Sequence, residues 1–132
     1  MYRLTYVSTV RPDIGQADFD DILIEARASN FANRVTGLLI CDGRFFFQYL
    51  EGTEAAVEAT FDRIGRDARH FALAVLARGP TGGRRFPGWD MAFENVEGGV
   101  SFSEAVFESI ANFGSDAAAA LIDYIRAADR AA

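Results

Sequence analysis

The chain has 132 residues and a formal net charge of −6; half of its residues are hydrophobic and 12 are Phe. This size and composition predict one folded domain and exclude a disordered chain. The acidic balance disfavours binding to nucleic acid or to an anionic membrane. One Cys and one His supply neither a disulfide framework nor a zinc site, and no apolar run reaches membrane-spanning length. A cytoplasmic protein fits these features.

The first half of the chain is predicted to form a strand, a helix and a hairpin. The alternation in residues 2–9 predicts a strand that carries Tyr6. Residues 17–31 predict a helix whose apolar residues recur at i, i+3, i+4 and i+7, with Asn30 at the centre of this apolar stripe. Residues 35–52 predict two strands joined at Asp42-Gly43, a dipeptide that favours a two-residue turn.

The predicted hairpin has a single amide, Gln48, among large apolar residues. A turn centred on Asp42-Gly43 pairs Gln48 with Gly37, which is predicted to leave space on that face. Both faces of the hairpin are apolar, so a sheet covered on both sides is expected. A buried carboxamide needs partners for two donors and two acceptor lone pairs. Gln48 is therefore expected to meet either other protein groups or a ligand.

The second half of the chain completes an α+β fold. Residues 53–67 predict a helix, and residues 71–78 and 89–96 predict strands. The order βαββαββ predicts a ferredoxin-like mixed sheet with two helices on one face. Two helical stretches within 98–132 are predicted to cover the other face, as an extension of the core formed by 1–97.

Two groups of polar residues are candidates for function. Arg63, Asp67 and His70 have the spacing i, i+4 and i+7, which either turns them to one region or leaves a solvated ion pair on a helix edge. The sequence contains neither a GxGxxG nor a GxxxxGK[ST] phosphate loop.

The second group consists of the amides of Asn30 and Gln48 together with Tyr6. A flat ligand with alternating C=O and N–H groups would satisfy both amides. Alternatively, the three side chains satisfy each other and nearby backbone groups. The pattern of residues by itself leaves both interpretations open.

Several motifs in order resemble those of a BLUF domain, the family of blue-light sensors that use FAD. They are LTYVS with Tyr6, Asn30 followed by VTGLL, FFFQYLEG with Gln48, the RDARH stretch, and RRFPGWDM. The resemblance runs from Arg3 to Phe93.

The resemblance implies noncovalent binding of FAD, with the flavin ring between the two helices. It assigns Ile22 and Ile64 to the two faces of the ring and Asn30 to its polar edge. The positions that it assigns to the flavin side chain and its pocket are Arg63, Asp67 and His70.

The resemblance also implies a photoactive pair, Tyr6 and Gln48. In the family, light moves an electron and a proton from the tyrosine to the flavin, the glutamine rearranges, and no substrate is turned over. A sensor rather than an enzyme is therefore expected. Trp89 and Met91 are both near the family's switching position, and one of them is expected to contact Gln48.

No effector domain follows in the sequence, so the resemblance is to a short stand-alone BLUF protein. We expect its output to pass to a separate protein partner or through a homodimer or higher oligomer. The alternatives are a ferredoxin-like regulatory module that binds a colourless small ligand and an acylphosphatase-like hydrolase, for which fold analogy is the only support.

Overall fold

A computed structural model describes residues 1–41, 45–84, 87, 88 and 91–95, the last four by their backbone. The order of the elements is the βαββαββ order predicted from the sequence. The elements are β1 (Tyr2–Val10), α1 (Gln16–Asn33), β2 (Thr36–Cys41), β3 (Phe45–Gly52), α2 (Glu54–Gly65), β4 (His70–Pro80) and β5 (Ala92–Asn95).

The five strands form one sheet in the order β4-β1-β3-β2-β5. Strand β1 lies antiparallel to β3 and β4, and β2 lies antiparallel to β3, whereas β5 runs parallel to β2. This arrangement confirms the ferredoxin-like mixed sheet. It also places β1 and β3 side by side in the middle of the sheet, with Tyr6 directly opposite Gln48.

Helix α1 packs on the sheet through the apolar stripe that the sequence predicts. Its start is stabilised by the Asp18 carboxylate, which accepts a hydrogen bond of 3.0 Å from the backbone N–H of Gly15. It ends where Arg34 adopts a left-handed conformation. Asn30 is 1% exposed. The stripe residues that pack against the core are Phe19, Ile22, Leu23 and Ala26.

Helix α2 is shorter than predicted. The Thr53 hydroxyl caps its start by accepting a bond of 3.2 Å from the Ala56 N–H. The helix ends at Gly65, a residue of low helix propensity. Within the described part of the chain, no helix is long and apolar enough to cross a bilayer.

The early end of α2 corrects the predicted placement of two polar residues. Asp67 lies in the connection after the helix, and His70 is the first residue of β4. The helical spacing assigned to Arg63, Asp67 and His70 is therefore wrong.

The register of the hairpin also differs from the prediction. Gln48 pairs with Leu39, and Gly37 pairs with Leu50, a shift of two residues from the predicted pairing. The Asp42-Gly43 turn lies outside the described residues. Because side chains alternate between faces, a two-residue shift leaves each side chain on its predicted face.

Gly37 has a different role from the predicted one. A Cβ atom at this position would lie 1.9 Å from the backbone oxygen of Tyr49. Gly37 thus permits the close approach of β3, and the prediction that it leaves space beside Gln48 is wrong.

The hairpin strands β2 and β3 are buried on both faces, as their apolar residues predict. On the face opposite Gln48, the side chains of Leu38, Ile40, Phe47 and Tyr49 are each no more than 3% exposed. The two helical stretches predicted within 98–132 lie outside the described residues. So do Trp89, Asp90 and Val96, which flank β5 in the predicted strand 89–96.

Candidate functional site

A cavity of about 340 Å³ lies between the sheet and the two helices. Its volume falls within the range of small-molecule sites. It is lined by the six residues that the resemblance assigns to the flavin and by the photoactive pair, although Asp67 and His70 lie beyond the end of α2. Its lining comprises Tyr6, Ile22, Glu25, Ala26, Asn30, Leu39, Phe46, Gln48, Arg63, Ile64, Arg66, Asp67, Arg69 and His70.

The floor of the cavity contains a hydrogen-bonded pair from the two central strands. The Tyr6 hydroxyl donates to Oε1 of Gln48, and the two side chains are 2% and 4% exposed. The pair forms because the antiparallel register sets these residues opposite each other on the face that α1 and α2 cover. Sequence alternation predicted their common face.

Gln48 has a second partner, Met91, just before β5. Its Nε2 lies 3.5 Å from Sδ of Met91 and donates to it, and the methionine side chain is 3% exposed. A thioether sulfur is a weak acceptor without a proton. Of the two candidates named from the sequence, Met91 makes the contact, while Trp89 lies outside the described residues.

Burial raises the pKa of the Tyr6 phenol far above its ordinary value. The negative charge of Asp67 raises this pKa further, and the positive charge of Arg63 opposes the increase. The phenol therefore stays protonated at any physiological pH and keeps the proton that it donates to Gln48.

His70 is held by both of its ring nitrogens. Nε2 lies 2.7 Å from the backbone oxygen of Ile64, and Nδ1 lies 2.6 Å from the Ser8 hydroxyl. Because a carbonyl oxygen only accepts, Nε2 carries a proton, and in the neutral ring Nδ1 accepts from Ser8. The ring therefore joins the end of α2 to β1 along one wall of the cavity.

An ion-pair network that the sequence did not predict lines one side of the cavity. Arg69 contacts Asp67 at 2.6 Å and Glu25 at 2.7 Å. Its guanidinium thereby joins α1 to the connection after α2. The hydrogen bonds from Arg69 lower the pKa of Asp67, while the Asp67 carboxylate raises the pKa of Arg69.

Arg69, Arg66 and Glu25 are the charged residues of the site that sequence reasoning missed. The predicted partner of Asp67 was Arg63, four residues before it, but the carboxylate pairs with Arg69. Only the Asp-x-Arg spacing in the RDARH stretch signals this contact. A carboxylate and a guanidinium two residues apart do not face each other on a helix, and they meet here because the chain turns after α2.

The cavity has the two properties that a flat heterocycle requires. Ile22 from α1 and Ile64 from α2 contribute apolar walls, and the amides of Asn30 and Gln48 contribute donors and acceptors. Charged groups on one side suit a polar or anionic substituent on such a ring.

Comparison with known proteins identifies the family. The profile of the family described as sensors of blue-light using FAD matches residues 1–92. The chain belongs to the BLUF family. It is therefore a blue-light sensor that uses FAD, and its mixed α+β fold is that of BLUF structures.

Two solved BLUF proteins illustrate the structural likeness. The dark-state structure of BlrB is 34% identical, with a TM-score of 0.69, and the match covers 71% of each chain. The structure of Klebsiella pneumoniae BlrP1 with FMN and cyclic diGMP is 31% identical, with a TM-score of 0.81 over 95% of this chain and 34% of that one.

Among curated relatives, the photoactivated adenylate cyclase subunit alpha of Euglena gracilis is 34% identical over 97 residues. The match covers 72% of this chain and 10% of the relative. The chain thus spans about a tenth of the length of that cyclase subunit. The region that they share is the BLUF sensor domain.

Proposed function

We propose that Tyr6, Gln48 and Met91 form the light-driven switch of this BLUF domain. The observation that carries the proposal is the buried hydrogen bond from the Tyr6 hydroxyl to Gln48 Oε1 on the floor of the cavity. A second bond joins the same amide to Met91. One amide is thereby bonded to a phenol on one side and to a thioether on the other.

The cofactor site in this proposal is the cavity between the helices. Ile22 and Ile64 would hold the two faces of the ring, and Asn30 would hold its polar edge. When bound, FAD supplies the absorption of blue light and the acceptor for an electron. The support is the lining of the cavity, which contains Arg63, Asp67 and His70 as well as the residue that sequence reasoning missed, Arg69.

The switching element is the amide of Gln48. In the arrangement described, Oε1 accepts from the Tyr6 phenol and Nε2 donates to Met91 Sδ. If the amide turns over, Oε1 faces the sulfur, and neither atom has a proton to share. The contact with Met91 is then lost, so the two orientations of one side chain give two states for light to bias.

The experiment that tests the switch is Gln48→Leu. We expect this variant to bind FAD and remain yellow, but to lose the reversible red shift of the flavin spectrum under blue light. The matched control is Gln16→Leu, since Gln16 is an exposed residue that bonds Asp20 on the surface of α1. A normal photocycle in Gln48→Leu would overturn the proposal.

A second pair of variants tests the phenol. Tyr6→Phe removes the buried donor and is expected to abolish the photocycle while FAD stays bound. Tyr2→Phe is the control, because the Tyr2 hydroxyl donates to Glu58 at 2.5 Å, at a distance from the cavity floor. Equal photocycles in the two variants would contradict the assignment of Tyr6.

We further propose that the chain has a sensory role and no catalytic activity of its own. The core would be 1–97, with 98–132 packed on the sheet as part of the same domain. The buried side chains of Leu38 and Phe47 on the face without α1 and α2 support a covered second face. The output would pass to a separate partner or through a homodimer, in a cytoplasmic setting.

A further inference from the structure

Met91 is held by a second residue besides Gln48. Nε of Arg27, on α1, donates a hydrogen bond of 3.1 Å to the backbone oxygen of Met91. The described contacts therefore form a continuous chain. It runs from the Tyr6 hydroxyl through the Gln48 amide to Met91 and ends at a guanidinium on the exposed side of α1.

We propose that Arg27 is a positioning residue that holds Met91 beside Gln48 and thereby sets the lifetime of the light-activated state. The inference rests on the proposed switch, because it assigns to Arg27 control over a contact that the switch breaks. Arg27 touches neither Gln48 nor Tyr6 in this chain of contacts and acts through the backbone of Met91.

The position of Met91 makes this bond important. The methionine directly precedes β5, a strand of four residues that, among the strands the structure describes, lies at the edge of the sheet and pairs with β2 alone. An edge strand has ladder hydrogen bonds on one side only. The bond from Arg27 therefore adds an attachment to α1 at the residue just before the strand.

The direction of the effect follows from the two orientations of the amide. With Nε2 of Gln48 toward the sulfur, both Gln48 and Arg27 hold Met91 in place. With Oε1 toward the sulfur, the amide no longer attracts Met91, and the bond from Arg27 is the contact that keeps the methionine near its original position. Loss of Arg27 therefore disfavours the return to the dark arrangement, and recovery slows.

The test uses the full chain loaded with FAD and the variant Arg27→Gln. A net hydrogen-bond contribution of typical size corresponds to about a 5-fold change in an equilibrium or a rate. We expect the decay of the red-shifted state in darkness to slow by about 5-fold. Because Arg27 is exposed and does not line the cavity, the flavin content is expected to match the wild type. The control is Arg78→Gln, which removes a surface ion pair between Arg78 on β4 and Glu58 on α2. This variant should recover at the normal rate.

A second readout reports on the position of Met91 directly. The chain has two methionines, and Met1 is 50% exposed whereas Met91 is 3% exposed. In protein labelled with 13C at the methionine methyl groups, Met1 is an internal reference. We expect Arg27→Gln to shift or split the Met91 methyl signal in the dark and to leave the Met1 signal unchanged.

Both changes are required. Recovery within 2-fold of the wild type, or slower recovery with an unchanged Met91 signal, would overturn the role of Arg27. These results are distinguishable from a failure of the switch itself. The switch fails if Gln48→Leu keeps a normal photocycle, whereas the role of Arg27 alone fails if Gln48→Leu is inactive and Arg27→Gln behaves as the wild type.

Discussion

Gly37→Ala is a substitution for which the structure predicts a large loss of stability. The added Cβ atom would lie 1.9 Å from the backbone oxygen of Tyr49 and 3.0 Å from its carbonyl carbon. Ordinary contacts between carbon and oxygen begin at about 3.3 Å. The two strands would therefore have to separate by about 1.4 Å at this point, and they are adjacent in the sheet.

The magnitude follows from what this separation breaks. Overpacking a well-packed interior costs about 1–3 kcal/mol. Two neighbouring ladder hydrogen bonds between β2 and β3, at about 1 kcal/mol each, would be lengthened beyond useful range. The opposing gain from a less flexible unfolded chain is about 0.4–1 kcal/mol. We expect a net loss of about 2–5 kcal/mol in the free energy of unfolding, a large part of the stability of a small domain.

The assay is urea denaturation of the flavin-loaded chain, with Gly65→Ala as the matched control. Gly65 ends α2, and an added Cβ would meet only the Leu73 side chain at 4.0 Å. The control should therefore equal the wild type or gain up to about 1 kcal/mol, because alanine favours the helix. If Gly37→Ala were insoluble while Gly65→Ala folded, the same conclusion would hold. A free energy of unfolding within about 1 kcal/mol of the wild type would refute the reasoning about the strand contact.

Two further predictions concern pH. Arg69 lowers the pKa of Asp67 in the folded chain, so this carboxylate contributes stability above its unfolded value of 3.8 and loses that contribution as the pH falls below it. In denaturant titrations at stepped pH, the wild type should lose more stability on acidification than Asp67→Asn. The control Asp62→Asn, at an exposed position, should follow the wild type. Equal acid profiles for Asp67→Asn and the wild type would contradict the ion pair. Burial raises the pKa of Tyr6 above the unfolded value of 10.0, so its contribution to stability is present below pH 10 and declines above it. Alkaline destabilisation should therefore be weaker in Tyr6→Phe than in Tyr2→Phe, and the reverse order would argue against a buried phenol.

The sequence alone was sufficient to assign side chains to faces. The helical spacing of Phe19 and Ile22 placed Asn30 toward the core, and strand alternation placed Gln48 on the same face as Phe46 and Leu39. These assignments were right because the direction of a side chain depends on local backbone geometry, with a period of 3.6 in a helix and of two in a strand. The family motifs added the cofactor and its expected residues, all of which line the cavity.

The tertiary structure decided which residues meet. Three features were decided in this way: the register of β2 against β3, the pairing of Asp67 with Arg69 instead of Arg63, and the contact of Arg27 with Met91. In each, the relative positions of the residues depend on the path of the chain between them. Local periodicity carries no information about that path, because a shift of two residues or an early helix end preserves the pattern of faces. The sequence by itself thus determined that an amide would lie in the interior of a flavin-binding fold. The family motifs named Tyr6 and one of Trp89 and Met91 as its expected partners, and the packing of β1, β3 and the residue before β5 brings Tyr6 and Met91 into hydrogen-bond contact with it.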